Sequence, residues 1–128
     1  MYLLVPKEIK LQEGRVGLTP IGVKAILDFF KKQGLEGKVT VLVEAGAGKS
    51  HPRLSDDKFK QAGAEIVGSA KEVWDRAHLI VKVKEPLEEE YEFLRTDQIV
   101  FTYWHLASPE NRRLLEEAMK RCATAVAY

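Results

Sequence analysis

Leu79-Ile80-Val81-Lys82-Val83-Lys84 is the stretch on which the fold turns. It is an apolar run rather than a strict alternation of apolar and polar residues, as expected of a strand whose sheet is covered by helices on both faces. Ile99-Val100-Phe101-Thr102-Tyr103 repeats the pattern downstream and runs on into Trp104 and His105. Between the two, Pro86 opens an acidic segment predicted to be helical through Leu94. Beyond them, Ser108-Pro109 opens a helix to about Arg121, and Ala123–Ala127 reads as a last strand. Upstream, Tyr2–Pro6, Val39–Glu44 and Glu65–Val67 read as short strands. Thr19-Pro20 opens a helix whose apolar face is Val23, Ile26, Phe29 and Phe30, and Gly34 ends it. Ser55 caps a helix ending near Gly63, and Ser69-Ala70-Lys71-Glu72 fits a capping box for a brief helix through Trp74. Six strand candidates with helices between them predict an α/β fold: a doubly wound, mainly parallel sheet of about six strands, Rossmann-like or flavodoxin-like.

At 128 residues and 45% hydrophobic, the chain suffices for one domain with one core. Net charge is +1, with lysines interleaved among glutamates, so nothing favours a nucleic-acid or membrane-surface role. No segment approaches the roughly 20 apolar residues of a membrane helix, and the start, Met1–Pro6, is too short for a signal-peptide core. Cys122 is the lone cysteine, which fits a reducing compartment. It is expected as a small buried or half-buried apolar residue. These features predict a soluble cytoplasmic protein. The single asparagine, Asn111, and the abundance of Lys and Glu lean toward a thermophilic source. The chain stops at Tyr128 inside a strand-like run, which points to a single domain, residues 1–128, truncated from something larger.

Gly46-Ala47-Gly48-Lys49-Ser50 resembles the end of a phosphate-binding loop, but Val43 stands where such a loop needs its first glycine. The same stretch begins a dinucleotide fingerprint, but His51 takes the third glycine's place. It therefore reads as a flexible turn, and no intact cofactor-binding signature is present. His51, His78 and His105 are widely spaced and Cys122 has no partner cysteine, so no metal site is expected. His78 begins its strand, the wrong end for a pocket, and reads as a surface residue; His51 reads as a solvated loop residue.

His105 and Lys84 stand where two expected strands end, the edge at which open α/β sheets bind ligands. His105 follows six residues that include three aromatics, so partly apolar surroundings are expected. Burial would then tune it as a general acid/base. Lys82 and Lys84, two apart, are expected on one face of their strand, with Lys84 better placed to reach a pocket and Lys82 snorkelling to water. Arg15 sits in Glu13-Gly14-Arg15-Val16-Gly17-Leu18, where glycines let the loop fold close to the sheet. An arginine there can grip a carboxylate with two parallel hydrogen bonds. The three side chains suggest a pocket for a small anionic carbonyl compound.

Val5-Pro6-Lys7-Glu8, Arg15-Val16-Gly17-Leu18-Thr19-Pro20, Glu44-Ala45-Gly46-Ala47-Gly48, Ala62-Gly63-Ala64, Lys82-Val83-Lys84-Glu85-Pro86 and Phe101-Thr102-Tyr103-Trp104-His105-Leu106-Ala107 occur in that order. In these motifs the chain resembles the N-terminal domain of the alanine dehydrogenase family, over essentially its whole length. The resemblance implies an NAD-dependent oxidoreductase that interconverts L-alanine with pyruvate and ammonia in a cleft facing a separate NAD-binding domain. By motif, Arg15 would hold the substrate carboxylate, Lys84 would contact and polarise the substrate oxygen, and His105 would be the acid/base. NAD would be bound mainly by a domain outside this chain, so the chain alone is expected to be inactive. The intact enzyme would be a homo-oligomer with small-molecule partners only. The proton-translocating transhydrogenases and the lysine-forming saccharopine dehydrogenases share the domain and are the alternatives, with a stand-alone, non-catalytic 2-oxo or amino acid-binding module as a third. Retention of both Lys84 and His105 favours amino-acid chemistry over transhydrogenation.

Overall fold

The computed structural model describes all 128 residues. In chain order the elements are β1 (Tyr2–Val5), α1 (Pro20–Lys32), β2 (Thr40–Glu44), α2 (Asp56–Gln61), β3 (Glu65–Val67), α3 (Ala70–Arg76), β4 (Leu79–Lys84), β5 (Ile99–Tyr103), α4 (Arg112–Lys120) and β6 (Thr124–Ala127). All six strands form one parallel sheet in the order β3-β2-β1-β4-β5-β6. The chain leaves β1 toward β3 and then crosses back to β4, so the winding reverses between β1 and β4. In open α/β sheets the crevice above such a reversal is where ligands sit.

The apolar runs are explained by the two layers. In β1, Leu4 faces one side while Leu3 and Val5 face the other; in β2, Leu42 opposes Val41 and Val43 in the same way. Leu4, Leu42, Ile80 and Val100 pack with Trp74 of α3 and Leu114 and Ala118 of α4. Leu3, Val5, Val41 and Val43 pack with Val23 of α1 and Phe59 of α2. With both faces covered, no polar position is left for alternation to mark.

Local signals hold with adjustments. Thr19 accepts from the Gly22 amide and Pro20 starts α1, while Ser69 accepts from the Glu72 amide to start α3, which continues to Arg76. Ser55 precedes α2 without a side-chain cap; the adjacent Asp56 carboxylate instead accepts from the Gly46 amide. The acidic segment after Pro86 is a 3₁₀ helix, Glu88–Phe93, rather than an α-helix. Its Glu90 turns back to bond the Leu87 amide and a buried lysine, which favours a tight turn over propagation. Pro109–Asn111 is likewise 3₁₀, and α4 starts only at Arg112. Cys122 is exposed, not buried: it occupies the left-handed position (φ 52°) that closes α4.

Candidate active site

The sheet's C-terminal edge carries a cleft of about 270 Å³ lined by Arg15, Val83, Lys84, Tyr103 and Tyr128. Arg15 comes from the loop after β1 and Lys84 ends β4, so the two flank the winding reversal. A larger recess, about 330 Å³ between Leu27, Phe30, Leu35 and Val39, lies at the end of α1 and the start of β2. That is the opposite edge of the sheet, where no strand ends.

Gly17 sets the approach of the Arg15 loop. A Cβ there would stand 2.2 Å from the Val81 carbonyl oxygen, so only glycine lets the loop lie against β4. Farther back, the Ser50 hydroxyl donates to the Gly14 carbonyl. Arg15 then folds onto Glu13, donating from Nε to Oε1 at 2.9 Å and from Nη2 to Oε2 at 2.6 Å. Those hydrogen bonds hold the Glu13 carboxyl down to about 2. Lys84, also drawn to Glu13, lowers it further. The side of the guanidinium bearing Nε is thus occupied, while its Nη1 end makes no hydrogen bond within the chain and is free to grip an anion.

Lys84 reaches the cleft because β4 carries a bulge. Val81 pairs with Phe101 but Lys84 with Tyr103, so β4 holds one residue more than β5 over that interval. The bulge breaks the side-chain alternation, and the expectation that Lys82 and Lys84 share a face is corrected. Lys84 is half-buried, its Nζ 5.9 Å from the centre of the Tyr103 ring. Lys82 does not snorkel: it is buried on the α3 and α4 side, 1% exposed, with Nζ bonded to Glu90 at 2.7 Å and 3.4 Å from Glu8. Burial pushes the Glu90 carboxyl up, and Lys82 only partly offsets this.

His105 is exposed, so the apolar surroundings expected for it are absent. Trp104, not His105, takes the buried place, 1% exposed, with its indole N–H on the Val100 carbonyl. The chain turns at His105 with φ 53°, and its carbonyl accepts from the Ser108 amide and the Asn111 side chain. That left-handed turn costs about 1–3 kcal/mol at a non-glycine residue. The His105 ring lies 4.3 Å from the ring of Tyr103, the aromatic that Lys84 also faces. The structure thus gathers Arg15 and Lys84 in one cleft and sets His105 at its rim, behind Tyr103.

His78 lies at the opposite edge, exposed, accepting from the Tyr2 amide. His51 caps a 3₁₀ turn by accepting from the Arg53 amide. No three His, Cys, Asp or Glu side chains converge as a metal site. Sequence reasoning passed over Glu13, Tyr103, Tyr128 and Glu8. The spacing of Glu13, two residues before Arg15, was an available signal; nothing local marks Tyr128, whose hydroxyl reaches the Lys82 and Val83 carbonyls. Burial, with the negative charge of Glu8, pushes the Tyr128 phenol up, so it stays a proton donor.

Residues 4–128 match the family described as alanine dehydrogenase/PNT, N-terminal domain. The chain belongs to this family. It is 44% identical over 128 residues to an alanine dehydrogenase of Methanococcus maripaludis and 42% identical to alanine dehydrogenase 2 of Staphylococcus aureus. In each case all of this chain is aligned but only 31% of the relative. Among solved structures it is similar to an L-alanine dehydrogenase, with TM-score 0.87 and 44% identity over 100% of this chain and 32% of that one. It is also similar to a transhydrogenase from Sinorhizobium meliloti, with TM-score 0.80 and 26% identity over 99% of this chain and 34% of that one. The parallel six-stranded α/β fold read from the sequence is the fold of these relatives. No helix is long and apolar enough to cross a membrane.

Proposed function

We propose that this chain is the substrate-side domain of an NAD-dependent alanine dehydrogenase, acting on L-alanine and pyruvate. The observation that carries the reading is the cleft at the winding reversal, where Arg15 and Lys84 stand together beside His105. The free end of the Arg15 guanidinium takes the substrate carboxylate in two parallel hydrogen bonds. Lys84 donates to the substrate oxygen and stabilises negative charge as it develops there. His105, exposed at the rim, moves the proton as general acid or base. The higher identity to alanine dehydrogenases, 44% against 26% for the transhydrogenase, favours this reading over the transhydrogenase one.

The turn at Gly46–Gly48 does not fit a dinucleotide. A Cβ at Gly48 would stand 1.9 Å from the Leu54 carbonyl oxygen, so the close approach that this glycine allows is taken by the chain's own backbone. NAD supplies the hydride acceptor in the full reaction, and its binding belongs to the part of the enzyme outside this chain. The chain alone therefore binds substrate without turnover, since catalysis needs both reactants at near-attack distance. Two tests follow. Pyruvate added to the 128-residue chain should shift the NMR signals of Val83, Lys84 and Tyr103. In the full-length protein, Lys84→Ala or Arg15→Ala should lower kcat/KM for alanine oxidation by at least about a hundredfold. Pyruvate binding that survives Arg15→Ala/Lys84→Ala unchanged would overturn the assignment.

A further inference from the structure

We propose that Glu8 is a positioning residue, which holds the β4 bulge and so turns Lys84 toward Arg15; its consequence for ligand binding rests on the function proposed above. A bulge takes backbone groups out of the ladder, and buried backbone groups must find other partners. Here side chains supply them. The Val83 amide donates to Glu8 Oε1 at 2.6 Å. The Lys82 and Val83 carbonyls accept from the Tyr128 hydroxyl at 3.3 and 3.2 Å, and the Lys84 carbonyl accepts from the Thr102 hydroxyl at 2.8 Å.

Glu8 is the anchor of the set. It is 8% exposed, it comes from the β1–α1 loop that also carries Arg15, and its other oxygen lies 3.4 Å from Lys82 Nζ. One carboxylate thus ties together the bulge amide, the lysine on the covered face and the loop of the anion-binding arginine. Regular pairing through Val83 would return Lys84 to the face of Lys82, because a shift of one residue exchanges faces. A charged acceptor is suited to the task, because a hydrogen bond to an ionised group is about twice as strong as a neutral one.

The test is NMR of the 128-residue chain carrying Glu8→Ala or Glu8→Gln, with pyruvate as the probe. Glu8→Gln keeps an acceptor for Val83. It should retain slow Val83 amide exchange and the Lys84–Tyr103 contact, with pyruvate Kd within about threefold of wild type. Glu8→Ala should speed Val83 exchange at least about tenfold relative to Val41 in the same sample, lose the Lys84–Tyr103 contact and weaken pyruvate at least about tenfold. If Glu8→Ala does not fold, Glu8→Ala/Lys82→Met/Glu90→Gln, which removes the buried charges along with the clamp, should show the same losses. A folded Glu8→Ala variant, alone or combined with Lys82→Met/Glu90→Gln, that keeps Val83 protected and Lys84 on Tyr103 overturns the proposal. Should the wild-type chain fail to bind pyruvate, the substrate reading falls, while the exchange and contact measurements still judge Glu8.

Discussion

The two ends of the sheet are built differently. In β1 and β2 every central residue is buried, with α1 and α2 on one face and α3 on the other. In β5, Val100 and Thr102 are buried on the α4 side, while Tyr103 on the opposite side is exposed, and β6 is exposed throughout. No helix covers that side, and there the Tyr128 ring lies 5.0 Å from Phe101. Stability is thus concentrated in the closed half, and the open half keeps its strand ends accessible for a ligand. The bulge in β4 lies at the border and gives one lysine to each regime.

The sharpest way to break this contrast is to treat the two lysines alike. Lys82→Met leaves Glu8 and Glu90 buried without their cation and should cost about 3–5 kcal/mol in urea denaturation. Lys84→Met should change stability by less than about 1 kcal/mol while abolishing pyruvate binding. Equal losses would show that the border is misplaced. Next in size, Leu42→Ala in the closed half should cost about 2–5 kcal/mol. Val126→Ala in β6, already 39% exposed, should cost less than about 1 kcal/mol.

Much of this division could be read from residues. Unbroken apolar runs at Leu79–Val81 and Val41–Val43 predict strands covered on two sides, and the structure shows that cover. The bulge could not be read, because it depends on Glu8, 75 residues away from its partner Val83. The exposure of His105 escaped for a related reason: three aromatics before it suggested apolar surroundings, but Trp104 takes the buried place and the chain turns outward. The 3₁₀ form of Glu88–Phe93 is set by the reach of Glu90 to Lys82, again a tertiary contact. Pairing of Arg15 with Glu13 is local, and its spacing was legible.

The smallest expected effect sharpens the open half. The Glu13 carboxyl should titrate by NMR near about 2, and Arg15→Ala should return it toward the usual 4.5. Since the folded value is depressed, the pair's contribution is complete above the unfolded value of about 4.5 and is lost as pH falls through about 2. A midpoint that ignores Arg15→Ala would mean that the guanidinium is not held where the cleft needs it.

Gly17 has a consequence for anyone wishing to retune this domain. A methyl group there would meet the Val81 carbonyl carbon at 2.6 Å, a collision with main chain rather than with a side chain that could swing aside. A randomised library aimed at new ligands should leave that one codon fixed. Diversity is better placed at Leu11, which lies upstream of the arginine and is already open to water.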